Sequence, residues 1–336
     1  MEQVTALVSD GRGQRAADSV ITQRAKRVLE IILQHRRLLP GELCALSPCE
    51  ECFGPHLTKV VRAMLLSEPI QLVLPAFPAK SSNRMKTLGP DPDRAEEIAL
   101  GLLQDICVRI GEIYRPGARL ILCSDGRVFG DLVQVSDENV TRYRDGILRV
   151  VEEMGATHLS QYTLDDAFDV KGYDALREEL LVQYATPLSV LREEVREGGA
   201  TRHLFDGIHR FVFEDYCALF PQRSRTQHRL ETKGVAYRVI QRSNAWSRAV
   251  EARFPMAVRL SIHPQAAHSS KLGISFMPSD NVWRTPWHGV VMERDGEVVL
   301  TRRSDAEGLG ATLVHRNGRP SHYVMQDALL RGAAGV

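Results

Sequence analysis

Ile70-Gln71-Leu72-Val73-Leu74-Pro75-Ala76-Phe77-Pro78-Ala79-Lys80-Ser81-Ser82-Asn83-Arg84-Met85-Lys86 joins a short apolar run to a loop crowded with cations. Ile70–Leu74 has the length and composition of a buried strand. Lys80, Arg84 and Lys86 then fall within seven positions, interleaved with Ser81, Ser82 and Asn83. Like charges so close repel unless an anion relieves them. Open α/β sheets bind ligands where their strands exit. The stretch therefore reads as a strand leading into a phosphate or carboxylate site, with a solvated surface turn as the plain alternative. It is not a Walker loop, because the glycine pattern and the terminal Gly-Lys-Ser/Thr are missing.

Working outward, apolar spacing over 16–37 predicts an amphipathic helix before this strand, with a short helix over 57–66. Asp93 with Glu96 resembles a capping box opening a helix that ends near Pro116-Gly117. Further strands are expected at 119–123 and 158–163. Between them Asp137 is expected to cap a helix that Gly155 stops. Residues 173–252 read as helices broken by Pro187, Gly198-Gly199 and Pro221. Strand signals return at 256–263 and 271–276. Asp295-Gly296 and Asn317-Gly318 each separate two apolar runs, as tight hairpin turns do. Alternating strands and helices predict an α/β fold: a central, largely parallel (Rossmann-like) sheet flanked by helices, with a helical insertion and C-terminal β-hairpins.

The expected organisation is a flexible tail over 1–14, an α/β catalytic domain over 15–284, and a hairpin section over 285–336 packed on the same domain. The net charge of the 336 residues is +1, so no global field draws the chain to nucleic acid or membrane, and the cationic loop is a local device. No apolar run approaches bilayer length. The polar N-terminus lacks the apolar core of a signal peptide, and the six cysteines suit a reducing, cytoplasmic setting. The basic segment Arg223–Arg229 reads as a solvated helix start rather than a nucleic-acid surface.

Four other groups could carry chemistry. Along Val258-Arg259-Leu260-Ser261-Ile262-His263 the side chains alternate, so Arg259, Ser261 and His263 share the face opposite the core. Lys271 follows as a further cation, and a solvated edge strand is the plain alternative. Ser124-Asp125-Gly126-Arg127-Val128-Phe129-Gly130-Asp131 follows a strong strand. Asp125 is readily a turn former, which favours Asp131 as the working carboxylate. In Thr285-Pro286-Trp287-His288, Trp287 could wall an aromatic pocket with Trp283, though plain core is the commoner fate of tryptophan. Cys44, Cys49, Cys52 and His56 have a spacing that can close a tetrahedral zinc site. One Cys-x-x-Cys without a second pair is weak, so free thiols are the favoured reading and no metal is assigned.

Taken in order, Pro75-Ala76-Phe77-Pro78-Ala79-Lys80-Ser81-x-Asn83-x-x-Lys86, Ser124-Asp125-Gly126-x-Val128-Phe129-x-Asp131, Arg259-x-x-Ile262-His263-Pro264 and Thr285-Pro286-Trp287-His288 resemble the isonitrile synthases of the pyoverdine/dityrosine biosynthesis family. The resemblance spans roughly 20–325. It implies a lyase of secondary metabolism that converts the amino group of an aromatic L-amino acid, tyrosine ahead of tryptophan, into an isonitrile. The carbon would come from C2 of ribulose 5-phosphate, with no metal or redox cofactor. The implied roles are catalysis by Lys80, Asp131 and His263. Substrate and phosphate would be held by Ser81, Asn83, Arg84, Lys86, Ser124, Asp125, Arg259, Lys271, Trp287 and His288. An iron- and 2-oxoglutarate-dependent oxygenase would consume the product, and a homodimer is left open. Ala79 stands where a larger, often aromatic, residue is expected in relatives. The competing readings are a phosphometabolite-binding regulator without turnover, and an aldolase-like enzyme with Lys80 or Lys271 as Schiff base.

Overall fold

The computed structural model describes residues 19–42 and 44–325; the expected tail over 1–14 lies outside them. Five strands form an all-parallel sheet: β1 (Ile70–Leu74), β2 (Ala118–Cys123), β3 (Leu159–Tyr162), β4 (Val258–Ser261) and β5 (Lys271–Gly273). Their spatial order is β3-β2-β1-β4-β5. β1 is central because Leu72, Val73 and Leu74 are buried with helices on both faces, the environment that parallel strands need. β4 lies between β1 and β5, so the solvated-edge alternative for its polar face fails.

The helices before and between the strands are α1 (19–33), α2 (Glu50–Leu65), α3 (Arg94–Ile113), α4 (Gly126–Phe129), α5 (Asp137–Glu153) and α6 (Leu164–Ala167). The capping box of α3 is present: Asp93 Oδ1 accepts from the Ala95 N–H, and Glu96 Oε2 accepts from the Asp93 N–H, both at 2.9 Å. Two expectations are corrected. α2 begins seven residues before position 57 and runs through Pro55, because Cys52, Phe53 and His56 are buried and anchor its early turns. Ser136, not Asp137, caps α5, its hydroxyl accepting from the Asn139 N–H at 3.2 Å. Asp137 instead takes a hydrogen bond from Arg177.

The helical insertion comprises α7 (Tyr173–Tyr184), α8 (Leu188–Glu197), α9 (Gly199–Leu219) and α10 (Arg225–Arg253). Ser224 and Gln227 form a capping box for α10, which explains the solvated, basic helix start. Trp246 of α10 donates its indole N–H to the Cys123 carbonyl at 3.2 Å and so ties the insertion to the end of β2.

The C-terminal section is a mixed sheet in the order β7-β6-β9-β8, from β6 (Val290–Arg294), β7 (Glu297–Thr301), β8 (Thr312–Arg316) and β9 (Arg319–Met325), with α11 (Arg303–Gly308) between its hairpins. Both expected hairpin turns form with positive φ at Asp295, Gly296, Asn317 and Gly318, as tight two-residue turns require. Val291 and Leu300 join the main core alongside β1 and α3, so the two sheets share packing. No described helix is long and apolar enough to cross a membrane.

Candidate active site

A cavity of about 600 Å³ opens at the carboxyl ends of β1, β2 and β4, with Pro75, Pro78, Asp125, Ser261 and His263 in its walls. At this point the strand order reverses, β2 and β3 lying to one side of β1 and β4 and β5 to the other. Open sheets bind ligands there. The loops after β1 and β2 meet without an intervening side chain. A Cβ at Gly126 would lie 1.9 Å from the Pro78 carbonyl oxygen, so the contact requires glycine. Helices α9 and α10 close the opposite wall with Phe211, Val212, Val239, Ile240 and Trp246.

One end of the cavity is cationic. Arg259 of β4 and Lys271 of β5 are register partners on adjacent strands. Arg259 Nη2 donates to Ser247 Oγ at 3.1 Å, and Lys271 Nζ donates to the same oxygen at 3.3 Å. Among the described residues neither cation pairs with a carboxylate, and Arg259 Nη1 is buried without a hydrogen-bond partner. Burial lowers the pKa of both, and Arg259 lowers that of Lys271 further. Two desolvated cations sharing one neutral oxygen favour an incoming anion.

Facing the same space, Asp125 is 9% exposed and its Oδ1 has no hydrogen-bond partner among the described residues. Burial pushes its pKa up to about 7, while its own backbone and Arg259 pull it down. A carboxyl group balanced near neutrality can exchange a proton with substrate. Burial first, then Arg37 and Lys271, lower the His263 pKa to about 4, so the ring is neutral near pH 7. Its ring lies 5.7 Å from that of Trp283. Burial likewise holds His288 well below its usual range, with help from Lys86 and Lys80. His288 Nδ1 shares a 3.0 Å hydrogen bond with Thr285 Oγ1. Trp283, Trp287 and His288 all line the cavity, and Trp287 also packs on Phe77 at 5.3 Å.

The basic loop is built differently from its reading as an anion site. Lys80 has a fully buried side chain. Its Nζ lies 2.8 Å from both Asp93 Oδ2 and Glu96 Oε2 and donates to the Pro286 carbonyl at 3.0 Å. Burial opposes its charge, but the two carboxylates outweigh burial and raise its pKa. It is a structural cation joining the start of α3 to the Pro286 turn. Lys86 Nζ lies 2.6 Å from Asp215 Oδ1, while Ser81 and Asn83 donate to the same carboxylate at 3.2 and 2.9 Å. These three residues dock the loop on α9, although Ser81 also touches the cavity. Arg84 is exposed and outside the cavity lining. Like charges are thus relieved by the protein's own carboxylates rather than by a ligand.

Two more expectations change at the β2 exit. Asp131 Oδ1 is 2.7 Å from Arg242 and 3.6 Å from Arg177 and does not line the cavity; Asp125 is the carboxylate that does. Ser124 Oγ donates to the Phe77 carbonyl at 3.0 Å, bracing a residue held at φ +56°. Sequence reasoning missed Ser243, Asn244 and Ser247 of α10. Their signal was available: Ser243 and Ser247 stand four apart on one helical face, polar among apolar neighbours.

An all-parallel sheet with a largely apolar cavity at its switch point, two cations without carboxylate partners among the described residues at one end, and the buried carboxyl of Asp125 facing them, has the form of an α/β enzyme site. Comparison with known proteins narrows the class. Residues 60–314 match the family described as "Pyoverdine/dityrosine biosynthesis protein", and the chain belongs to that family as one of its enzymes. The L-tryptophan isonitrile synthase AmbI1 of Fischerella ambigua is 45% identical over 304 residues, 90% of this chain and 95% of that protein. An L-tyrosine isonitrile synthase of Pseudomonas aeruginosa is 42% identical over 315 residues, 92% of this chain and 96% of that protein. The crystal structure of the PvcA protein from Pseudomonas aeruginosa aligns with TM-score 0.84 and 41% identity, covering 90% of this chain and 99% of that one.

Proposed function

We propose that this enzyme converts the amino group of an aromatic L-amino acid, tyrosine or tryptophan, into an isonitrile, with C2 of ribulose 5-phosphate as the carbon source. The observation that carries the reading is the Arg259–Lys271 pair, uncommitted to any carboxylate among the described residues and facing the same cavity as Asp125. Two adjacent cations suit a phosphate dianion, whose charge several donors can share. The aromatic wall from Phe129, Phe211 and Trp283 suits an amino-acid ring. Ala79 also lines the cavity, so a small residue widens it at this point.

In this reading Asp125 takes a proton from the substrate ammonium, freeing the amine to attack the sugar ketone with loss of one water. The neutral His263 and His288 are further proton acceptors within the cavity. The cations on the phosphate hold the sugar in place and stabilise charge that develops as it reacts.

The test is incubation with tyrosine or tryptophan and ribulose 5-phosphate carrying ¹³C at C2, read by mass spectrometry. A labelled isonitrile acid from one of the amino acids supports the proposal; none from either removes it. Binding of the sugar phosphate without turnover would favour a regulator. Lys271 keeps a Schiff-base reading open, since burial and Arg259 lower its pKa as nucleophilic lysines require. Lys80, locked between two carboxylates, does not. Borohydride with sugar phosphate alone would then fix a mass adduct on Lys271.

A further inference from the structure

The loop joining β4 to β5 contributes His263, Pro264, Gln265, Ala266 and Ser269 to the cavity wall. Its outer part carries His268, which reaches the segment before α2. There the ligand atoms of Cys44, Cys49, Cys52 and His268 all lie within 4.8 Å of one another. His56, the fourth ligand suggested by sequence spacing, is outside this group, and both of its ring nitrogens are buried without partners.

We infer that Cys44, Cys49, Cys52 and His268 bind one structural zinc ion, which staples the β4–β5 loop of the active site to the start of α2. Four of the six donor separations are near those of the bound ion. Zinc bonds of about 2.3 Å to sulfur and about 2.0 Å to nitrogen give tetrahedral edges of about 3.8 Å between sulfurs and about 3.5 Å from sulfur to nitrogen. The sulfurs of Cys44 and Cys49 are 3.4 Å apart, and those of Cys49 and Cys52 are 3.7 Å apart. His268 Nε2 is 3.6 Å from Cys44 Sγ and 3.2 Å from Cys49 Sγ. Sulfurs at these separations are unbonded to each other, and the remaining two donor pairs, Cys44 with Cys52 and Cys52 with His268, lie within 4.8 Å.

The surroundings support the same assignment. His268 presents Nε2 to the sulfurs, while its Nδ1 lies 3.3 Å from Glu51 Oε2. A carboxylate on the outer nitrogen fixes the tautomer that leaves Nε2 free to ligate, as at many zinc sites. Cys49 is the N-cap of the sixteen-residue α2 and makes no side-chain capping bond. Its sulfur is thereby left for a metal, at the helix end that favours a thiolate. Arg36 donates to the Cys44 carbonyl and, at 3.1 Å, to that of Ala45. Glu42 Oε2 accepts from the Ala267 N–H at 3.0 Å. The Arg36 bonds order the segment before α2, while the Glu42 bond, with the Leu39 N–H donating to the Gln265 carbonyl and the Gln265 N–H to the Arg37 carbonyl, both at 3.0 Å, already ties that segment to the β4–β5 loop. A thiolate-rich tetrahedral set with one imidazole selects zinc over hard cations.

The test uses the full chain expressed with ample zinc, purified under reducing conditions and dialysed against a chelator. Elemental analysis should find about one zinc per chain. Cys49→Ser and His268→Asn should each lower the content at least about tenfold. Stepwise mercurial titration of the wild-type chain should release zinc in step with three thiols, and should lower Tm. Cobalt(II) reconstitution of the same chain should give the strong visible bands of a tetrahedral thiolate site. A wild-type chain that retains no stoichiometric zinc and gives no such cobalt spectrum would overturn the assignment. So would zinc retained undiminished in both folded variants. These readouts are independent of isonitrile formation.

Discussion

The loop after β1 and the β4–β5 pair carry similar charges and opposite fates. In the loop, Lys80 is held by Asp93 and Glu96, and Lys86 by Asp215. At the β4–β5 pair, Arg259 and Lys271 share a serine hydroxyl and, among the described residues, pair with no carboxylate. A buried cation already matched by carboxylates organises the fold and has little attraction left for a ligand. A buried cation without such a match is held at a cost that an incoming anion offsets. The difference lies in partners, not in residue type.

The largest effect expected from this contrast is on folding. Lys80→Met leaves two buried carboxylates unmatched and should cost about 3–5 kcal/mol in urea unfolding; a loss under about 1 kcal/mol would mean that Lys80 is not the structural cation described. Arg259→Gln should instead spare stability and lower kcat/KM by roughly 10²–10³. Equal damage to both quantities would blur the two regions into one. Asp125→Asn should reduce turnover by about 10², and with it the pH dependence. Since the base works ionised, wild-type activity should rise through about pH 7, and that limb should vanish in the variant. The same carboxyl also affects stability. Between its ordinary 3.8 and about 7 the folded chain keeps a proton that the unfolded chain has lost. Its contribution therefore falls as pH rises through that window. The smallest effect belongs to Arg84→Ala, which should leave stability within about 0.5 kcal/mol and turnover unchanged. A tenfold loss of turnover would return the loop to the active site.

Much of the architecture was legible in local pattern. The strands at 70–74 and 119–123, the capping box at Asp93 and Glu96, and both hairpin turns appear where the sequence places them, because periodicity and turn chemistry act over a few residues. The same local pattern brings Arg259, on β4, and His263, two residues past the end of that strand, to the wall of one cavity. The differences share one origin. Lys80 reads as a ligand-facing cation because the capping box that uses Glu96 gives no hint of that carboxylate's second duty. Asp131 reads as the working carboxylate because the turn-forming role of Asp125 is visible, while the arginines that occupy Asp131 lie far along the chain, at Arg177 and Arg242. His56 is the histidine that local spacing offers after three cysteines, whereas His268 arrives through β4–β5 packing.

Sequence alone thus determined which segments become strands and helices, where turns fall, and that basic residues would gather near strand exits, since these follow from short-range spacing and backbone chemistry. Only the tertiary structure decided which cations are spent and which remain free, which aspartate faces the cavity, and which histidine joins the cysteines. Charge availability depends on burial and on partners that come together only when the sheet assembles.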